Sequence, residues 1–199
     1  MSEVSFEPTW DARDAFDDPR RGHLTRGWLD LSLDAFGSQV EYARGRIEHA
    51  HFVPLGSKTT LAMSARVGVI SPLGSTEEIP IQERFFNGGE NSVRSFQEGE
   101  LGPADPDGTP VGGEAFTVAS VELRQALGKR FQAAAFVDAG TVELRFEDVL
   151  RFENPGFGIG LGLRYLLPIG PVRLDGAINP DPEDGESSSA LHLSVGFSF

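Results

Sequence analysis

Residues 157–165 read FGIGLGLRY, and the fold turns on how this run is laid out in space. Successive side chains of an extended strand point to opposite faces. Phe157, Ile159, Leu161, Leu163 and Tyr165 therefore share one side, and Gly158, Gly160, Gly162 and Arg164 the other. Glycine weakens a strand, and a face turned to water would rather carry Thr, Lys or Glu. A glycine at every second place implies that something presses against that face.

The same alternation extends outward in both directions. Leu61, Met63, Ala65, Val67 and Val69 oppose Thr60, Ala62, Ser64, Arg66 and Gly68; Val121 and Leu123 oppose Ser120, Glu122 and Arg124; Val172, Leu174 and Ile178 oppose Arg173 and Asp175. The terminal ALHLSVGFSF sets Leu191, Leu193, Val195, Phe197 and Phe199 against His192, Ser194, Gly196 and Ser198, which predicts an outward-facing Phe199. Residues 39–53 are too irregular to assign a facing. Strands are expected near 25–35, 39–53, 58–70, 115–125, 131–142, 157–167, 171–179 and 190–199, with residues 4–11 as a candidate ninth. Short connections at 54–57, 127–130 and 168–170 alternate with long ones at 71–113, 143–156 and 180–189. That is the layout of a transmembrane antiparallel up-and-down β-barrel, with an apolar face in lipid and a charged lumen. A soluble β-sandwich shows the same alternation with the two faces exchanged. The domain reading is an N-terminal segment at 1–23 and a barrel at 24–199, with a long extracellular loop at 71–113.

Composition narrows the function. Seventeen basic against thirty acidic residues, a formal charge of −13, disfavour nucleic acid as a partner. With no cysteine there is no disulfide framework and no thiolate chemistry. No apolar run approaches the roughly 18 residues of a membrane-spanning helix, and residues 1–16 carry no signal-peptide pattern. Two tyrosines and two tryptophans make a thin aromatic girdle for a barrel. The four histidines lack metal-ligand spacing, the acidic turns at 105–114 and 180–186 lack the ligand order of a calcium loop, and no nucleophile–base–acid set stands out. The expectation is a non-enzyme with no cofactor and no metal.

Several ordered motifs carry a family resemblance: RFFNGGENSVRSF at 84–96, FVDAG at 136–140, GIGLGLRYLLPIGPVRLD at 158–175, the terminal HLSVGFSF, and DARDAFDDPRRGHL at 11–24. Together they span nearly the whole chain, which resembles the C-terminal half of the BamA-type superfamily of outer-membrane insertases and two-partner-secretion translocators. The resemblance implies a loop whose tip, Val93, Arg94 and Phe96, enters the lumen and pairs Arg94 with Asp138. It departs from the family at Ser95, which stands where the family has glycine, and in length, since the family barrel has about sixteen strands. An eight-stranded barrel only just holds its own side chains. If Arg94 reaches Asp138 from inside, two half-barrels pairing, or a complementing chain, would be needed.

On this reading Arg66, Glu122, Arg124, Arg164, Arg173 and Asp175 form a structural lumen network, and Gly196, Phe197 and Phe199 form an assembly signal and seam. The implied function is insertion of outer-membrane proteins or polypeptide translocation in a bacterial-type outer membrane. Lipid, unfolded β-barrel clients and a homodimeric or complementing barrel half are the expected partners. The competing reading is a small stand-alone or dimeric channel barrel without clients, and a fragment of a longer insertase is a third.

Overall fold

The structure, a computed structural model, describes residues 3–149, 154–167, 170–183, 185–196 and 198–199. Ten antiparallel strands form one sheet: β1 (Glu3–Phe6), β2 (Thr9–Asp11), β3 (Gly22–Ser32), β4 (Tyr42–Pro54), β5 (Thr59–Pro72), β6 (Ala115–Ala126), β7 (Phe131–Glu143), β8 (Gly156–Leu167), β9 (Gly170–Ile178) and β10 (Ser189–Val195). From β3 to β10 each strand pairs with its neighbour in sequence. β1 and β2 both pair with β3, at Leu29–Ser32 and Leu24–Arg26, so the expected ninth strand is one edge broken around Pro8. Proline has no N–H to give to the ladder, and its carbonyl instead accepts from Gly27. Among the described residues the β1–β2 edge and the β10 edge do not pair, so the sheet is open.

The two faces are inverted relative to a water-soluble protein. Leu29, Ile47, Val121, Val137, Ile159, Leu161, Leu174, Leu191 and Leu193 are exposed, while Glu122, Arg124, Asp138, Arg164, Arg173 and Asp175 are buried. The strand assigned no facing resolves in the same sense: Tyr42, Ala50 and Phe52 lie inside and Ile47 outside. Its pattern was obscured because Ala50 and Phe52 belong to a small apolar cluster on the inner side, with Leu24, Ala62 and Phe199.

Residues 73–114, between β5 and β6, lie against this inner face. Val93, Phe96 and Leu101 of the loop join Phe116, Val118 and Val142 of β6 and β7 in one buried cluster. This is what the β8 glycines accommodate. A Cβ at Gly156 would lie 2.5 Å from Leu101 and 2.7 Å from Phe96, one at Gly158 would lie 3.2 Å from Ser95, and one at Gly160 would collide with Phe136. The volume objection to an internal loop applies to a closed eight-stranded barrel. Here the sheet is open and its wall is thinned to glycine where the loop passes.

The C-terminal residues correct one expectation. The last strand stops at Val195, Gly196 takes a left-handed φ of 120°, and Phe199 turns to the inner side, 9% exposed and stacked on Phe52 at 6.2 Å. Period-2 counting fails here because Gly196 adopts a conformation an L-residue resists, which breaks the alternation. Phe197 lies outside the described residues. The first long strand also starts earlier than expected, at Gly22, and ends earlier, at Ser32.

Candidate functional site

Arg94 sits at the tip of the loop, 1% exposed, in the middle of the inner face. Its guanidinium forms a fork on Asp138 of β7, with Nε to Oδ2 at 2.8 Å and Nη2 to Oδ1 at 2.9 Å; its backbone N–H donates to the same carboxylate at 3.2 Å. Nη1 donates to Glu122 of β6 at 2.9 Å, and the guanidinium carbon lies 3.3 Å from the centre of the Phe136 ring. The Ser120 hydroxyl donates to Asp138 at 2.6 Å. A planar guanidinium is the side chain that can serve a carboxylate fork, a second carboxylate and an aromatic face at once, which a lysine cannot.

The sheet register explains why these groups meet. Ser120 is paired with Asp138 across β6 and β7, and Glu122 with Phe136, so the inner positions of two adjacent strands supply both carboxylates. Around them Arg124 donates to Glu122 at 2.6 Å and Arg164 at 2.7 Å, and Asp175 lies 3.6–3.7 Å from Arg94, Arg164 and Arg173. The structure therefore brings Arg94, Asp138, Glu122, Arg124, Arg164, Arg173 and Asp175 into one ion-pair network. Val93 and Phe96 flank the arginine as fully buried apolar anchors. Arg66 stands at its margin: its guanidinium donates to the backbone carbonyl of Asn91 in the loop.

Ser95 requires no left-handed backbone, since among the described residues Asn154 alone of the non-glycines has a positive φ. Its hydroxyl donates to the carbonyl of Phe157 at 2.6 Å, in the space left by Gly158. The departure from glycine thus adds a bond to β8. Sequence reasoning missed three further contacts. His192 of β10 bonds through Nε2 to the carbonyl of Arg94 at 3.0 Å, Asn91 accepts from Arg173 at 2.9 Å, and Glu100 accepts from the N–H and hydroxyl of Ser187 at 2.8 and 2.7 Å. Only the inward position of His192 was legible beforehand, from the alternation of residues 190–196.

A second ordered element is the turn at residues 11–22. Arg13 forks on Asp11 at 2.9 and 2.8 Å, and Asp14 accepts from the N–H groups of Arg20 and Arg21 at 2.9 and 3.1 Å. Burial pushes the Asp14 carboxyl up, but these N–H groups, together with those of Asp14 and Ala15, outweigh it and hold the group below its ordinary value. Arg20 reaches the β4–β5 turn, donating to the carbonyls of Ser57 and Gly56 at 2.7 and 2.6 Å. Gly22 takes a φ of 101°, and any Cβ there would strike the carbonyl of Ala12.

No cluster of His, Cys, Asp or Glu among the described residues could hold a metal ion. The described residues offer a buried ion-pair network, two sheet edges that do not pair among them, and an apolar outer face.

Residues 1–199 match the family described as the Omp85 superfamily domain. The outer membrane protein assembly factor BamA of Neisseria meningitidis serogroup B is 33% identical over 133 residues, 62% of this chain and 16% of that protein. A SAM50-like protein of Schizosaccharomyces pombe is 27% identical over 188 residues, 86% of this chain and 39% of the relative. Among solved structures, BamA from Haemophilus ducreyi lacking POTRA domains 1–3 superposes with a TM-score of 0.82 at 22% identity, covering 96% of this chain and 41% of that one. The chain spans less than half the length of each of these proteins.

Proposed function

Because the chain belongs to the Omp85 superfamily, we propose that it is a membrane-embedded assembly module that inserts β-barrel proteins into an outer membrane. Its relatives include proteins named as a bacterial outer membrane assembly factor and as SAM50-like, so the reading covers an outer membrane of bacterial type or its organellar counterpart. The observation that carries it is the inverted sheet. An exposed leucine, isoleucine and valine face backed by a buried ionic interior suits lipid outside and a polar lumen inside, since in hydrocarbon the apolar side chains bear no cost. The soluble-sandwich alternative needs the opposite arrangement.

The Arg94 loop serves as the latch of this module. It ties β6 and β7 through Asp138 and Glu122, β8 through Ser95, and the free-edge strand β10 through His192. The unpaired β10 edge offers N–H and C=O groups to an incoming client strand, the route of β-augmentation. Gly196 ends that strand, and Phe199, packed inside against Phe52, fastens the end of this seam. Two free edges also make the open sheet suited to closing with a second copy or with a complementary half, which would give a lumen wide enough for the loop.

The test is reconstitution of the purified chain into lipid vesicles with an unfolded outer-membrane barrel as client, read as protease-protected, heat-modifiable product. Faster client folding than in empty vesicles supports the module. Client folding at the empty-vesicle rate, with a steady open conductance in planar bilayers, would favour a passive channel. Mass measured in detergent reports pairing, and a strictly monomeric closed barrel would remove the half-barrel reading.

A further inference from the structure

The sheet has one end with short turns, and the segment at residues 12–21 crosses it. The segment leaves the β2–β3 edge through a hairpin, in which the N–H of Ala12 bonds the carbonyl of His23 at 2.9 Å and that of Asp14 bonds Arg21 at 3.0 Å. On one side Arg20 holds the β4–β5 turn. On the other side Asp18 accepts from Gln132 of β7 at 3.2 Å, a strand far around the sheet. Pro19 between them is fully buried. One short segment therefore touches opposite walls of the same mouth.

Behind it lies the base of the ionic network. The exposed Asp17 and the half-buried Asp18 line, with Arg124, Arg164, Arg173 and Ser198, a narrow, partly open space of about 10 Å³, room for roughly one water. Four arginines of the network share three carboxylates within 4 Å, namely Arg94, Arg124, Arg164 and Arg173 against Glu122, Asp138 and Asp175. Arg164 Nη1 and both Nε and Nη1 of Arg173 are buried without a hydrogen-bond partner, as are the two carboxylate oxygens of Asp175, 3.6–3.7 Å from these arginines. A buried ionic cluster with surplus positive charge draws carboxylates toward it.

We infer that residues 12–21 are an electrostatic stopper, which seals the short-turn mouth by setting Asp17 and Asp18 against the arginine base of the inner network. The inference stands whether or not the chain inserts clients, because it concerns access to the interior alone. It also assigns a role to the acidic pair that the turn motif itself does not require, since neither Asp17 nor Asp18 takes part in the Arg13–Asp11 or Asp14–Arg20 contacts.

The absence of cysteine permits a clean test. In the full chain Ser198→Cys places a single thiol in the wall of this space behind the segment, with Leu166→Cys as a second reporter lining the same space. The rate of labelling by a membrane-impermeant thiol reagent is measured in detergent at low and high salt. The parent reporter should label slowly. Asp17→Asn with Asp18→Asn should raise the rate about tenfold, the change that follows from losing roughly one hydrogen bond to a charged group. High salt should accelerate the parent and leave the double variant unchanged. Should that variant fold poorly, Gln132→Ala removes the contact from the wall side and is read in the same way. Labelling at the parent rate in these variants overturns the inference, as does fast labelling of the parent, which would mean an open mouth.

Discussion

Removing the carboxylate of Asp138 is the perturbation that tests the latch most directly. Asp138 is fully buried and accepts three bonds from Arg94, at 2.8, 2.9 and 3.2 Å, and one from Ser120 at 2.6 Å. Asp138→Ala removes the fork and leaves the Arg94 guanidinium with Glu122, Ser120 and, at 3.6 Å, Asp175. Arg94→Ala leaves the buried Asp138 carboxylate with the Ser120 hydroxyl and the backbone N–H of residue 94 and no guanidinium fork. Breaking a buried ion pair by removing one partner costs about 3–5 kcal/mol, because a charge stays buried without compensation. The two losses are one event counted from either side, so the double variant should cost about as much as the worse single one. The double variant then falls short of additivity by one single-variant cost, about 3–5 kcal/mol. Arg94→Lys should recover part of the loss, since it restores the charge but not the fork. The assay is urea unfolding in lipid vesicles, followed by heat-modifiable gel mobility and by the fluorescence of Trp10 and Trp28. Single variants within about 0.5 kcal/mol of the parent, the range of an ordinary surface substitution, would refute the latch, and so would an additive double variant.

Three further outcomes follow from the geometry. Gly160→Ala should cost about 1–3 kcal/mol, because its Cβ would collide with Phe136 and with the carbonyl of Gly176; Gly45→Ala, with nothing within 4 Å, should be near neutral in the same unfolding assay. Leu161→Arg, on the exposed apolar face, should cost about 2–4 kcal/mol in lipid if that residue lies near the bilayer midplane. A negligible cost in lipid would place this face in water. For Asp14, whose carboxyl is held below the ordinary value, the stabilisation is present above the unfolded pKa and is lost as pH falls through the folded one. Hydrogen exchange at the Arg20 and Arg21 amides, corrected for intrinsic rate, should accelerate as pH falls through the acidic range, and Asp14→Asn should abolish that dependence.

Much of this arrangement is written in the order of residues. The alternation in FGIGLGLRY assigns each side chain to a face, because a strand reverses direction with every residue whatever surrounds it. The β8 glycines announced a crowded face, and the crowding proved to be Ser95, Phe96, Leu101 and Phe136. The pairing of Arg94 with Asp138 was legible only through the likeness of two motifs to a family; periodicity alone put Asp138 inside without naming its partner.

What the tertiary structure decided lies where the chain stops being periodic. Alternation is equally consistent with a soluble sandwich; the tertiary structure buries the charged face and exposes the apolar one, the arrangement on which the lipid-facing proposal rests. The part of His192 in the latch depends on the path of a loop separated from it by nearly a hundred residues, which no local pattern encodes. Phe199 lies inside because Gly196 interrupts the alternation that would have carried it outward. Local backbone geometry determines which way a side chain points, but only the closing of distant segments on one another determines what it meets there.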